Sequence, residues 1–337
     1  MKKTLLAIAA MVAMVACNND YVVKEAAPEA ISFDGIFVDN STRAAFDGSY
    51  TASTLESFQV YGTVQGTGTN EGVGNIFNGE TVTKSGENWV YNSANTQYWI
   101  PGNNYKFRAI VDGNVAGVTE VVALEADKNM ASAINLLDAS AQKDILTAER
   151  IYENYTTPQA GVAPVAFTFK HILAKAKFTF KNTITTNNGY SYKVTNVRIV
   201  DAVKNGVYTI TDGANGTWAA ATTPATYQLS FGDVVLNGKN ADFESAANLA
   251  YNTSAESNYD RLLVPGATTI NVKFDYQLLK DGAVIDTHKD VTTSATVTLE
   301  AGHAYNFVVC LANPGDPITF KLETITSWDT TNGNKNF

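Results

Sequence analysis

The run VAFTFKHILAKAKFTFKN, residues 165–182, decides the fold. In its first half the apolar side chains fall at odd positions, Val165, Phe167 and Phe169. In its second half they fall at even ones, Ala174, Ala176, Phe178 and Phe180. Strand side chains alternate between faces with a period of two, so one extra residue must be absorbed near His171–Ala174. A β-bulge, or a strand passing from one sheet to another, does this. Two separate strands joined by a tight turn are disfavoured, because no Gly, Pro, Asn or Asp lies between Phe167 and Phe180. The run therefore predicts a bent crossing and marks a boundary, with an N-terminal domain ending near residue 164. His171 falls on the inward phase at the bend, where a hydrogen-bonded structural role is expected.

On both sides of this run strand signals recur and helix signals are scarce. SFQVYGTV (57–64), NWVYN (88–92), NYKFRAIVDG (104–113), VTEVVAL (118–124), YKVTNVRIVDA (192–202), INVKFDYQLL (270–279), AYNFVVCL (304–311) and ITFKLETI (318–325) are short β-branched and aromatic runs. Turn dipeptides separate them, among them Asp112-Gly113, Asp212-Gly213, Asn237-Gly238 and Asp281-Gly282. The last lies between INVKFDYQLL and VIDTHKDV and predicts a hairpin. One helix is expected at 137–151, LDASAQKDILTAERI. Regular short strands with turn punctuation predict an all-β chain of antiparallel β-sandwich domains in tandem, residues 44–164 and 165–337.

The chain begins MKKTLLAIAAMVAMVAC. Two lysines precede an apolar run from Leu5 to Ala16, shorter than the about 20 residues needed to cross a bilayer and suited to an export signal. Met14-Val15-Ala16-Cys17 resembles a bacterial lipoprotein box. Residues 1–16 are then the signal peptide, and Cys17 becomes a diacylated N-terminus tethered to the outer membrane; two acyl chains make such an anchor stable. The other cysteine, Cys310, lies in a run apolar on both faces and is expected as a buried free thiol. The net charge of −9, with a pI near 4.9, argues against a nucleic-acid partner.

No catalytic or cofactor pattern is present. GTVQGTGTNEGVGN (62–75) follows a strand but fails dinucleotide spacing, since Glu71 stands where a glycine is needed, and no Gly-Lys-Ser/Thr follows. It predicts a hairpin loop. His171, His288 and His303 match no zinc spacing. There is no G-x-S-x-G elbow and no EF-hand loop. Scattered Asp and Glu leave paired-acid glycoside chemistry untested by sequence. The expectation is a non-enzymatic protein without metal or cofactor.

One more feature stands out at the other end. ISFDGIFVDNSTRAAFDG (31–48) is an apolar strand followed by a polar turn and then Arg43, the first arginine of the chain. Together, the lipoprotein cysteine, Ser41-Thr42-Arg43-Ala44, Asp144-Ile145-Leu146 before the VAFTFKHILAKAKFTF run, and Ser327-Trp328-Asp329 resemble the fimbrillin-like pilins of Bacteroides-type bacteria. The F-x-H-x-L-A-K centre, Phe169 to Lys175, is the nearest to a specific motif. The resemblance implies two transthyretin-like sandwiches behind a lipidated leader, residues 17–43. It further implies an arginine-specific surface protease that cuts between Arg43 and Ala44, and departure of the strand at 31–38. The vacated groove then takes a strand from the next pilin subunit, with residues 318–337 as the candidate donor. The product is a fimbrium at the outer membrane and cell surface.

Elementary energetics fit that implication. Ile31, Phe33 and Phe37 are expected on one face of the leading strand, with Ile36 and Val38 on the other. Burying about four such side chains contributes on the order of 6–12 kcal/mol gross. The covalent link holds the strand at millimolar-scale effective concentration until it is cut. Ile318, Phe320 and Leu322 share one face of the candidate donor, with Trp328 in the same phase beyond, as strand addition to a sheet requires. A head-to-tail contact that does not close builds a filament. Two other readings stay open at this point: a fimbrial tip or anchor subunit, and a monomeric glycan-binding surface lipoprotein.

Overall fold

A computed structural model of the chain describes residues 29–38, 54–66, 73–111, 118–122, 130–135, 144–155, 163–182, 184, 189–211, 216–220, 224–228, 234–237, 261–313 and 315–327. Among these residues the fold is all β, apart from one 3-10 turn at Ser93–Asn95. Cys17, Arg43, Ala44 and Trp328 lie outside the described residues.

With strands numbered in chain order, the first sheet runs β1 (Phe37–Val38), β9 (Thr168–His171), β8 (Leu146–Tyr155), β5 (Asn103–Ile110), β2 (Ser57–Gln65), β3 (Val73–Ser85) and β4 (Asn88–Val90). Its neighbours are antiparallel except β1 and β9, which run parallel. It encloses an aromatic core that includes Phe58, Phe77, Phe107, Phe167 and Phe169. Gly62 lets that core close: a Cβ there would stand 2.9 Å from the Phe77 ring and 3.1 Å from Phe107. The glycine-rich stretch joins β2 to β3, with Gln65 paired to Val73.

The second core lies between two sheets. One has the order β16 (Arg261–Leu263), β10 (Ala174–Asn182), β19 (His303–Leu311), β20 (Thr319–Ser327). The other has the order β14 (Pro224–Gln228), β11 (Tyr190–Val203), β17 (Gly266–Lys280), β18 (Ala283–Leu299), with β15 (Val234–Asn237) also on β11. Phe178, Phe180 and Phe307 from the first meet Val272 and Phe274 from the second. β17 and β18 form the expected hairpin, and Asp281 and Gly282 both carry the positive φ of a type I′ turn (50° and 83°). A smaller sheet, β13 (Thr217–Ala220), β12 (Asn205–Ile210), β7 (Met130–Asn135), β6 (Val118–Val122), draws strands from both halves of the chain.

The crossing takes the second of its two expected forms, a change of sheet. β9 ends at His171, β10 begins at Ala174, and Ile172 and Leu173 between them are both fully buried. They join a third cluster with Ile110, Ile145, Tyr208 and Leu262, which sits where the two cores meet. Residues 165–171 still complete the first core, so the change of sheet comes after the boundary expected at 164. His171 has a hydrogen-bonded place: its Nδ1 lies 2.5 Å from Oδ2 of the buried Asp144. Trp218 Nε1 donates to the Ile172 carbonyl at 2.7 Å and ties the small sheet to the crossing.

Two expectations are corrected. Residues 146–151 of the expected helix are strand, in β8, while 137–143 lie outside the described residues. The segment pairs along the whole of β5 and buries Leu146 and Ala148 against the first core, and that tertiary pairing overrides a modest helical pattern. Cys310 is a free thiol but only half-buried, because the core phase of β19 falls on Tyr305, Phe307, Val309 and Leu311.

Burial also sets an alkaline limit. The Tyr192 phenol donates to the Ala312 carbonyl at 2.6 Å, and burial pushes its pKa up to about 12. Burial raises Tyr61, Tyr105 and Tyr208 in the same direction. Their folded pKa values exceed the unfolded one, so their contribution is complete below the unfolded pKa of about 10 and is lost as pH rises through the folded values. Denaturant midpoints measured against pH are expected to fall from pH ~10 upward, with no loss from this cause between pH 7 and 9.

Candidate functional site

The leading segment is not an ordinary edge strand. Its residues 29–38 lie in a groove between the two ends of the first sheet. On one side Phe33 bridges Val165 in parallel, and Phe37 and Val38 pair with Thr168 and Phe169. Asp34 N donates to the Val165 carbonyl, and Val165 N donates to the Ser32 carbonyl at 2.8 Å. On the other side Phe33 bridges Trp89 and Ala30 bridges Tyr98. Ile31 N donates to the Gln97 carbonyl at 2.8 Å and Trp99 N to the Glu29 carbonyl at 2.9 Å. The pairing is therefore two-sided but sparse, and on its longer side it is parallel, the slightly weaker arrangement per residue.

The side chains are held far more completely than the backbone. Ile31, Phe33 and Val38 are 1%, 2% and 2% exposed. Phe33 stands inside a ring of aromatics: Phe167 stacks on it at 6.0 Å, and Phe58, Phe77, Tyr91 and Phe107 meet it edge-on at 5.6 to 6.3 Å. Tyr91 fixes the same spot from the side, its phenol donating to the Ile31 carbonyl at 2.8 Å, and burial pushes that phenol's pKa up. Without the segment, the five rings around Phe33 would face a trench open to water. An apolar trench of this kind favours any strand that refills it.

The burial of Val38 corrects its expected face. From Phe33 to Phe37 the segment advances four residues while its partner advances three, from Val165 to Thr168. The extra residue sits beside Gly35, whose φ of 59° is left-handed. It reverses the alternation, so that Val38 joins Ile31 and Phe33 in the core. Phe37 is in β1, opposite Thr168.

The candidate donor residues are on the second core. Ile318 lies just before β20, which carries Phe320 and Leu322 and forms the outer edge of its sheet, antiparallel to β19. All three side chains are only partly buried there. Phe320 stacks on Phe307 at 5.6 Å and Phe178 at 6.4 Å. A register slip between Asn306 and Phe307 gives β20 one extra residue at Glu323, and Ile325 stands opposite Tyr305. Truncating Phe320 is therefore expected to cost the isolated subunit about 1–2 kcal/mol, below the roughly 3–5 kcal/mol typical of a fully buried phenylalanine. Denaturant unfolding of the Phe320→Ala chain checks this.

Arginine placement completes the geometry. Arg108, Arg150, Arg198 and Arg261 all lie within paired strands, in β5, β8, β11 and β16. Arg108 is buried and its Nε donates to Glu149 at 2.8 Å, Arg198 is ion-paired with Asp290, and Arg261 is buried. Arg43 is the one arginine outside the described strands. Among the described residues no three His, Cys, Asp or Glu side chains gather as a metal site, and His171, His288 and His303 are apart, in β9, β18 and β19. Sequence reasoning missed Tyr91, Trp89 and the 97–99 run as the second wall of the groove. NWVYN signalled a strand there but not its partner.

The fold has clear relatives. A fimbrial protein from Bacteroides vulgatus ATCC 8482 superposes with a TM-score of 0.65 at 14% identity, over 89% of this chain and 99% of that one. A putative cell adhesion protein from Bacteroides uniformis ATCC 8492 gives 0.47 at 14% identity, covering 89% and 98%. A fimbrial assembly protein from Parabacteroides distasonis ATCC 8503 gives 0.41 at 12% identity, covering 88% and 99%. No curated protein matches the sequence. The profile described as fimbrillin-like matches residues 42–328, most of the chain, and the protein therefore belongs to the fimbrillin-like family.

Proposed function

We propose that the chain is a shaft subunit of surface fimbriae, a structural protein that polymerises by strand exchange. It is exported as a lipoprotein precursor acylated on Cys17 and held at the outer membrane. An arginine-specific surface protease cuts between Arg43 and Ala44, the leading segment leaves its groove, and a strand from another pilin subunit takes its place. The two sandwiches, the first completed by residues 165–171, form the body of the subunit in the polymer.

The observation that carries this reading is the contrast in the groove: side chains buried to 2% or less on a backbone held by scattered, partly parallel pairing. Such a segment is strongly favoured while tethered and exchangeable once cut, since cleavage removes the local concentration but none of the contacts. Burial also gives the direction. Ile318 and Phe320 are half-covered on their own edge, whereas the groove covers an isoleucine and a phenylalanine almost entirely. Transfer of β20 into a neighbour's groove buries these two side chains further, against the loss of their cover over Phe307 and Phe178. The placement of the other four arginines supports a single cut, because proteases act on loops and not on strands held in a ladder.

Limited digestion of the purified full-length chain with an arginine-specific protease tests the proposal. The expected result is one cut, a new N-terminus at Ala44, and a ladder of oligomers. A cut at 43–44 with a monomer that persists at every concentration would overturn it.

A further inference from the structure

The leading segment and the C-terminal strand carry the same pattern. Residues 31–38 read ISFDGIFV and residues 318–325 read ITFKLETI. Ile31-Ser32-Phe33 corresponds to Ile318-Thr319-Phe320, and Val38, five residues after its phenylalanine, corresponds to Ile325, five after its own. The backbones agree independently of the side chains. Each segment carries one residue more than its partner strand within that five-residue interval, beside Gly35 in the first and at Glu323 in the second. A single extra residue shifts the alternation of a strand by one, so in both segments the residue five positions after the phenylalanine stands four positions along the partner strand, Val38 opposite Phe169 and Ile325 opposite Tyr305.

We propose that β20 is a replica of the leading segment, so that in a second copy of this chain Ile318, Phe320 and Ile325 occupy the places of Ile31, Phe33 and Val38. This rests on the strand-exchange reading above and adds to it a register and a direction. The donor runs parallel to residues 165–169, as the leading segment does, with Phe320 beside Val165 and inside the ring of Phe58, Phe77, Tyr91, Phe107 and Phe167. The two segments differ chiefly at Gly35, whose counterpart is Leu322. Leucine does not adopt a φ of 59° at low cost, so the donor absorbs its extra residue at Glu323, as it already does against β19. The partner selected is thereby a chain with the same replica, which makes the contact self-specific.

The register is tested by cross-linking. Phe33 pairs with Val165, which sets the exposed Asp34 beside the exposed Ala166. In the replica register Lys321 takes the place of Asp34. The full-length chain with Cys17→Ser and Cys310→Ser receives Lys321→Cys and Ala166→Cys, is cut with an arginine-specific protease, and is oxidised. Neighbouring strands bring the two Cα atoms within the span of a disulfide. The expected result is a ladder on a non-reducing gel that collapses on reduction, and no ladder from Thr319→Cys with Ala166→Cys, two residues out of register. A ladder from the Thr319 pair, or polymer without any cross-link from the Lys321 pair, overturns the register and leaves strand exchange standing. Failure of the cut chain to form any polymer overturns strand exchange itself.

Discussion

Arg43→Ala is expected to abolish polymer while leaving folding and lipidation unchanged. Position 43 lies outside the described residues and is not part of either core's described cluster. The variant should unfold with the denaturant midpoint of the parent chain. Its effect comes through the tether. As long as residues 31–38 remain covalently joined to the body, they compete for the groove at millimolar-scale effective concentration against a donor at the far lower concentration of free subunits. The variant chain should be recovered as monomer after protease treatment that converts the parent to a ladder. Arg150→Ala should polymerise normally, since Arg150 sits in the β8 ladder and offers the protease no open loop. Normal polymer from Arg43→Ala would remove the cleavage step from the account.

Phe33→Ala is expected to weaken the uncut chain by about 3–5 kcal/mol, the usual cost of emptying a buried phenylalanine site. The five rings packed around Phe33 come from separate strands and cannot all collapse into the space left behind. The same substitution should leave the assembled fibre untouched, because in the proposed exchange Phe33 departs with the leader and Phe320 of the neighbour fills the groove. Phe320→Ala is the converse, costing the monomer only about 1–2 kcal/mol and damaging the polymer more. Denaturant midpoints of monomer and polymer for both variants give the readout. Equal destabilisation of monomer and polymer by Phe33→Ala would mean that the segment never leaves.

Much of this architecture is legible in sequence because period-two burial leaves a direct trace. The shift from Phe167 and Phe169 to Ala174 and Phe178 announces the change of sheet, and Asp281-Gly282 announces its hairpin with both residues at positive φ. Features set by non-local partners leave no such trace. LTAERI is read as helical until β5 is seen to lie along it. The face of Val38 could not be read by simple alternation, since the extra residue beside Gly35 is visible only against Val165 and Thr168. The groove was half legible: its apolar occupant stands in the sequence at 31–38, but its second wall, from Trp89 to Trp99, comes from a run with no local mark of that role. The likeness of ISF to ITF is plain in the letters and gains meaning only when the matching extra residues in the two ladders are compared.

The most direct measurement follows the excised leader. The full-length chain is cut with an arginine-specific protease, polymer is separated from solution, and both fractions are weighed by mass spectrometry. The account predicts that the fragment ending at Arg43 appears in solution, one for each subunit that enters polymer, while polymer contains chains beginning at Ala44. Polymer that retains the fragment in equal numbers with its subunits would contradict it.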